Sequence, residues 1–472
     1  MSSELSTAVS ETVARARAAQ AIFAQYSQTQ VDEVVTAVAW SIINPTNNVE
    51  LATMAVSDTG FGNVEDKITK NRRKTMGLLR DLKSAKTVGV VAEFPEKGLI
   101  EIARPVGVVG AIVPSTNPAA TPANKTLNAL KCGNAMILAP SPKGANTCDR
   151  LVEMMQAELK RIGAPVDLVQ KLPSPISKAG TLQLMQEVDL VVATGSQNNV
   201  RAAYSCGTPA VGVGAGNVVS IVDETADLGA AAKKIVTSKS FDNATSCSSE
   251  NNLVVVESVY DDMMSALSES GAVMLNDTDR LQLASQLWQD GKLNQSLIAK
   301  KAYEMAELAN LGALVNNNTK VLLVQTTGIG KGHPYSGEKL SPVLTVYKAK
   351  DFNEAKAIAS EIMAFQGQGH SISIHTNDDT RPLELGLNLP ICRVIVNQIH
   401  CYATGGSFDN ALPFSLSMGC GTWGENSISD NMNYTHYLNT TRVVRTIAPN
   451  EPSVEDIFAE YWQAHDIQPQ AM

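Results

Sequence analysis

Through about residue 90, apolar positions recur three and four residues apart, as at Val31, Val34, Val35, Val38 and Ile42. That spacing stacks them on one face of a helix, so this region is predicted to be helical with few strands. From about Gly98 the pattern changes to short, β-branched apolar runs: 106–113, 134–139 and 188–193. Segments with helical character separate them at 119–131, 146–162 and 176–187. Apolar strands alternating with helices predict a parallel sheet covered on both faces, with ligands gathered at the carboxyl ends of the strands. A second series begins near residue 240, with runs at 253–256, 321–324, 343–346, 371–374 and 393–396, and predicts a second α/β domain. The Gly- and Pro-rich stretch 326–341 reads as a loop over a site, and 93–97 and 439–447 read from propensity as projecting strands.

A chain of 472 residues exceeds one ordinary core, which agrees with two domains. With 44% hydrophobic and 18% charged residues the composition is that of a water-soluble globular protein. The net charge of -9 gives no reason to expect nucleic acid or an anionic membrane as partner. The seven cysteines are scattered and form no CxxC pair, which reads as reduced thiols in a cytoplasmic protein and not as a zinc site; no metal is expected. No apolar run approaches the roughly 20 residues that span a bilayer, and the start lacks the basic and apolar blocks of a signal peptide.

Cys247 stands out within Ser240-Phe241-Asp242-Asn243-Ala244-Thr245-Ser246-Cys247-Ser248-Ser249-Glu250, a small, polar junction between a helix and a strand. A thiol there is accessible to a small substrate, although an ordinary buried cysteine is the commoner meaning of such a loop. Val113-Pro114-Ser115-Thr116-Asn117-Pro118 follows a parallel-type strand, and the Asn117 amide is placed either to cap a helix or to donate to an oxyanion. Thr194-Gly195-Ser196 is a second strand-end turn where backbone N–H groups can meet a phosphate. The run Gly212-Val213-Gly214-Ala215-Gly216-Asn217 precedes a strand instead of following one, so it fails the context of a dinucleotide fingerprint. The stretch 332–338 carries Glu338 where a P-loop requires lysine, which excludes triphosphate hydrolysis. His370 and His375 fall on opposite faces of a strand and cannot share a metal.

Taken in order, these segments resemble the aldehyde dehydrogenase superfamily over nearly the whole chain. The stretches 241–243, 212–217 and 419–427 are similar to its CoA-acylating branch. The resemblance implies an α/β, aldehyde-dehydrogenase-like fold. A Rossmann-type cofactor domain would span 1–238, with 411–436 returning to it, and an α/β catalytic domain 239–410. Strands at 92–105 and 437–450 would project as an oligomerisation element of a homodimer or homotetramer. It implies Cys247 as nucleophile and Asn117 as oxyanion donor; His370 either assists the thiol or simply lines the pocket. Ser115, Thr116, Thr194, Gly195, Ser196, Gly212, Gly214 and Glu338 would surround the cofactor. Ser141 and Lys143, in Ala139-Pro140-Ser141-Pro142-Lys143, stand where many relatives place an acid for the adenosine ribose, so NADP is plausible beside NAD. Gly212 stands where hydrolytic relatives carry a glutamate base, and its loss favours attack by the thiol of coenzyme A over water. The stretches 244–246 and 397–406 are similar to acylating sulfoacetaldehyde dehydrogenases, with Thr245, Arg393 and His400 as candidate partners of an anionic aldehyde. Succinic semialdehyde and acetaldehyde are the alternatives.

Overall fold

The computed structural model describes residues 3–214 and 216–468. Four helices open the chain: α1 (Ser3–Phe23), α2 (Gln28–Ile43), α3 (Pro45–Thr59) and α4 (Val64–Leu82). Val31, Val34, Val35, Val38 and Ile42 form the buried stripe of α2, as their spacing predicts. Asparagine caps bound the next two helices: Asn44 accepts from the Thr46 and Asn47 N–H groups, and Asn63 accepts from that of Asp66.

Strands β1 (Gly89–Phe94) and β2 (Leu99–Pro105) form an antiparallel pair. A parallel sheet follows, built from β3 (Val108–Val113), β4 (Ala135–Pro140), β5 (Val169–Lys171), β6 (Leu190–Thr194) and β7 (Ala210–Val213). Helix α5 (Ala120–Lys131) links β3 to β4. The strand order is β5-β4-β3-β6-β7, so the order reverses between β3 and β6. Loops leaving two such neighbours diverge to opposite faces and leave a crevice at their carboxyl ends.

The second sheet is also parallel. It contains β8 (Val218–Val222), β9 (Glu250–Val256), β10 (Ala272–Leu275), β13 (Val321–Gln325), β14 (Val343–Ala349), β15 (Ile372–His375) and β16 (Val394–Val396), with the small hairpin β11 (Trp288–Gln289) and β12 (Lys292–Leu293) beside it. Its order is β10-β13-β14-β9-β8-β15-β16. This corrects the boundary at 238: β8 pairs with β9 and β15, so the second sheet already begins at Val218. The helix Leu228–Ser240 is packed on it through Ala231, Ile235 and Val236. The chain then returns to the first core, where Phe414 and Met432 are buried. It ends with β17 (Leu438–Val444), which pairs antiparallel with β2, and an exposed helix, Val454–Ala464. The stretch 93–97 read from propensity as a strand is instead the end of β1 and the 3-10 turn Pro95–Lys97 that joins it to β2, while 439–447 is strand as far as Val444; β1, β2 and β17 form one three-stranded sheet. Among the described residues no helix is long and apolar enough to cross a membrane.

Candidate active site

The first sheet brings its part of the site to the reversal of strand order. The turn holding Ser115, Thr116 and Asn117 leaves β3, and Thr194, Gly195 and Ser196 leave the adjacent β6. Gly195 has φ +137°, and a Cβ placed on it would lie 3.5 Å from the Pro114 ring, so the two turns are in contact. Ser196 caps the helix Gln197–Ser205 by accepting from the Asn199 N–H. Ser141 follows β4, and Lys143 is exposed, over the Phe61 ring and near Gln295. These residues form a partly exposed polar row of the kind that accepts a dinucleotide.

The second sheet does the opposite of what was expected of a parallel sheet. It presents the amino ends of its strands: Gly216 before β8, Cys247 before β9, Glu338 before β14, His370 before β15 and Arg393 before β16. Gly216 is the pivot. A Cβ there would come within 2.3 Å of the Cys247 carbonyl oxygen and 3.1 Å of the His370 ring, so the backbone approach requires glycine. Cys247 and His370 are thus neighbours across one glycine. The other two glycines of the run do different work. A Cβ on Gly212 would strike Val200 at 2.7 Å, and the Tyr204 hydroxyl holds the Gly212 backbone. Gly214 abuts the end of Gln197, and Ala215 lies outside the described residues.

The turn before Cys247 is strained and pinned. Asp242, Asn243 and Ala244 all have positive φ, at 49°, 53° and 61°. Each such non-glycine residue costs about 1–3 kcal/mol, so three in a row persist only because their surroundings enforce them. The Asp242 N–H donates to Asp66 (2.7 Å), and the Asn243 amide donates to the Ala299 carbonyl (3.0 Å). The Asp242 carboxylate is fully buried and ion-paired to Lys67 (3.1 Å) and Lys70 of α4, and it also accepts from Thr245 (2.7 Å). Burial opposes the charged carboxylate, but the two lysines outweigh it and hold its pKa below the ordinary range.

Lys70 also sets the oxyanion donor. Its ammonium donates to Asn117 Oδ1 at 2.9 Å, and a lysine cannot accept, so Nδ2 is the donor end of that amide, held only by a long bond to the Thr116 hydroxyl at 3.4 Å. Asn117 does not cap α5, whose capping position is Ala119 with no side-chain bond.

Cys247 is half-buried, and its thiol pKa is pushed up to about 12, first by burial and then by Glu338 and Cys420, with Arg393 opposing. Burial raises Glu338 to about 7, with Lys239 and Lys339 pulling it back. Its carboxylate makes no hydrogen bond among the described residues, only its N–H donating to Gln366. His370 is buried and held neutral, its pKa pushed well below the ordinary value by burial and by Arg393 and His400. Its Nδ1 pairs with the Ser371 hydroxyl (2.8 Å), while Nε2 is buried without a partner among the described residues.

The three residues expected to meet an anion are already engaged. Arg393 is 6% exposed and donates to Asn431, to the His370 carbonyl, and to the carbonyls of Gly419 and Ser429, all within 2.9 Å. It latches the returning segment. His400 is fully buried, neutral with a pKa near 4, and paired with the Ser248 carbonyl and Thr404. Thr245 is buried on Asp242. The cleft lies elsewhere. About 440 Å³ of open space is lined by Lys70, Arg73 and Lys74 of α4, Asn117, Ser246 and Ser248 on either side of Cys247, and Tyr402. Sequence reading missed α4. The signal was available: Lys67, Lys70 and Lys74 share one helix face.

The sequence profile of the aldehyde dehydrogenase family matches residues 2–409. The chain is 56% identical over 455 residues to a protein of Cupriavidus necator named sulfoacetaldehyde dehydrogenase (acylating), covering 96% of this chain and 92% of that one. It is 44% identical to a protein of the same name from Bilophila wadsworthia, covering 97% and 99% of the two chains. Among solved structures, an acetylating aldehyde dehydrogenase from Geobacillus thermoglucosidasius superposes with a TM-score of 0.91 at 35% identity, covering 95% of this chain and 99% of that one. The match to the family profile, the identity over nearly the whole chain and the likeness of fold agree, and the chain belongs to the aldehyde dehydrogenase family.

Proposed function

We propose that the protein is a CoA-acylating aldehyde dehydrogenase that converts sulfoacetaldehyde, coenzyme A and NAD(P)+ into sulfoacetyl-CoA and NAD(P)H through a thioester on Cys247. The observation that carries this reading is a cleft lined by Asn117, oriented by Lys70, and by the two serines that flank Cys247, with neutral His370 next to that cysteine across Gly216. The names of the relatives at 56% and 44% identity support the substrate.

In the first half-reaction the Cys247 sulfur bonds to the aldehyde carbon while the thiol proton leaves to solvent, with neutral His370 lining its way. Asn117 Nδ2 and the Cys247 N–H receive the oxyanion. The nicotinamide cofactor, when bound, supplies the hydride acceptor that leaves a thioester on Cys247. In the second half the thiol of coenzyme A gives up its proton, its sulfur bonds to the acyl carbon, and the bond to Cys247 breaks. Cys247 takes up the proton that coenzyme A gave up, and the cycle closes with one net proton released from the first half-reaction.

The polar row at the ends of β3, β4 and β6 fits the cofactor. Ser115, Thr116, Thr194, Gly195 and Ser196 would hold its phosphates, and Glu338, with an unpartnered carboxylate, its nicotinamide ribose. Ser141 and exposed Lys143, which would have to exchange its long bond to Gln295, could meet a 2′-phosphate, which favours NADP without excluding NAD. Gly212 and Gly214 serve the cofactor side by packing the helix that Ser196 caps. Thiolysis is favoured over hydrolysis because Val200 fills the space that a side chain on Gly212 would need. We assign the chain to the cytoplasm, as a homodimer or homotetramer joined through β1-β2-β17.

The test is turnover of sulfoacetaldehyde, succinic semialdehyde and acetaldehyde with coenzyme A and each cofactor. Sulfoacetyl-CoA should form with sulfoacetaldehyde as the preferred aldehyde, and Cys247→Ala should abolish it. Release of free acid without coenzyme A would overturn the acylating mechanism.

A further inference from the structure

The cleft beside Cys247 has a cationic wall, and most of its charge is spent. Lys70 gives its protons to Asn117, Asp242 and Thr245. Lys74 gives its own to the carbonyls of Gly405 (2.7 Å), Gly406 (3.3 Å) and Tyr402 (3.5 Å), and burial lowers its pKa to about 7. Arg73 differs. One terminal nitrogen donates to the Ser407 hydroxyl, which itself donates to Asp409, while Nε is buried with no partner and the other terminal nitrogen makes no hydrogen bond among the described residues. The guanidinium is nonetheless fixed, packed on the rings of Tyr402 (4.9 Å) and Phe408 (5.2 Å). A rigid, permanently charged fork with donors to spare, lining the same cleft as Ser246 and Ser248, is arranged to meet an anion.

We infer that Arg73 is the specificity-determining residue of this enzyme, binding the anionic end of the aldehyde while its carbonyl carbon reaches Cys247. This rests on the acylating reading above and replaces Arg393 and His400 in the role of anion partner. Ser246 and Ser248, whose hydroxyl oxygens lie 2.8 Å apart, add donors on the side of the nucleophile. The ligand chemistry is a small sulfonate, and a carboxylate on a longer chain is the competing source.

The experiment compares the parent enzyme with Arg73→Leu and Arg73→Lys on sulfoacetaldehyde, succinic semialdehyde and acetaldehyde, at saturating coenzyme A and cofactor. Inhibition of acetaldehyde turnover by ethanesulfonate is measured in parallel. Arg73→Leu should lower kcat/KM for sulfoacetaldehyde about 100-fold, mostly through KM, and leave acetaldehyde within about threefold. Arg73→Lys, which keeps the charge but loses the fork, should fall between. Ethanesulfonate should inhibit the parent and lose its grip on Arg73→Leu. A larger loss on succinic semialdehyde than on sulfoacetaldehyde would overturn the assignment to a sulfonate. Equal losses on all three aldehydes, or no loss, would overturn the inference by making Arg73 a structural residue or a bystander. A parent that prefers acetaldehyde would instead overturn the substrate reading, while ethanesulfonate inhibition still reports on Arg73.

Discussion

Cys247 must lose a proton that its surroundings hold tightly. With the thiol pushed up to about 12, the free enzyme carries little thiolate at neutral pH. Alkylation of Cys247 by iodoacetamide in the free enzyme should therefore be slow and should climb about tenfold per pH unit across the neutral and mildly alkaline range, without a plateau. A plateau near pH 8 would show an activated resting thiol. Asn117→Ala should lower kcat/KM by about 10²–10³, the usual cost of removing one oxyanion donor. Glu338 titrates in the working range because burial raises it to about 7. Above that pH the carboxylate is ionised and, in the proposed role, would accept from the ribose hydroxyls; below it the group is protonated and loses acceptor strength. The KM for the cofactor should accordingly rise as pH falls through 7, and Glu338→Gln should show a raised KM that no longer changes there.

Among the elements, α4 shows where sequence reading succeeded and where it stopped. Its helical period was legible, and so were β3, β4 and β6, whose apolar runs predicted a parallel sheet. The role of its lysines was not. A charge run is ordinarily a solvated face, and only the fold reveals that the Lys67 and Lys70 side chains flank a fully buried Asp242. The same blindness misdirected Arg393 and His400: sequence places a charged residue near a site but does not show that its donors are consumed by backbone carbonyls. The amino-edge placement of Cys247 was equally hidden, because the order of strands in the second sheet depends on long-range pairing. Asp242→Asn should leave two lysines facing each other without their counter-charge, at a cost of about 3–5 kcal/mol. Thermal unfolding should show a clear fall in Tm, and the variant should lose activity with it, since the turn before Cys247 is released.

For the whole molecule, the three-stranded sheet exposes Val443 and Val444, and the last helix exposes Ile457, Phe458 and Tyr461. Apolar side chains at that density favour association. Light scattering behind size exclusion should give a dimer or tetramer, and deletion of the segment from β17 onward should give smaller species. The closing of the first core has a consequence in time. Phe414, Met432 and Tyr437 complete that core, Arg393 waits for the carbonyls of Gly419 and Ser429, and β2 waits for β17. On the ribosome, the first core therefore keeps part of its apolar surface open until the segment 414–444 has been made. A chain cut short before that segment should expose apolar surface of the first core and be less soluble than the full chain.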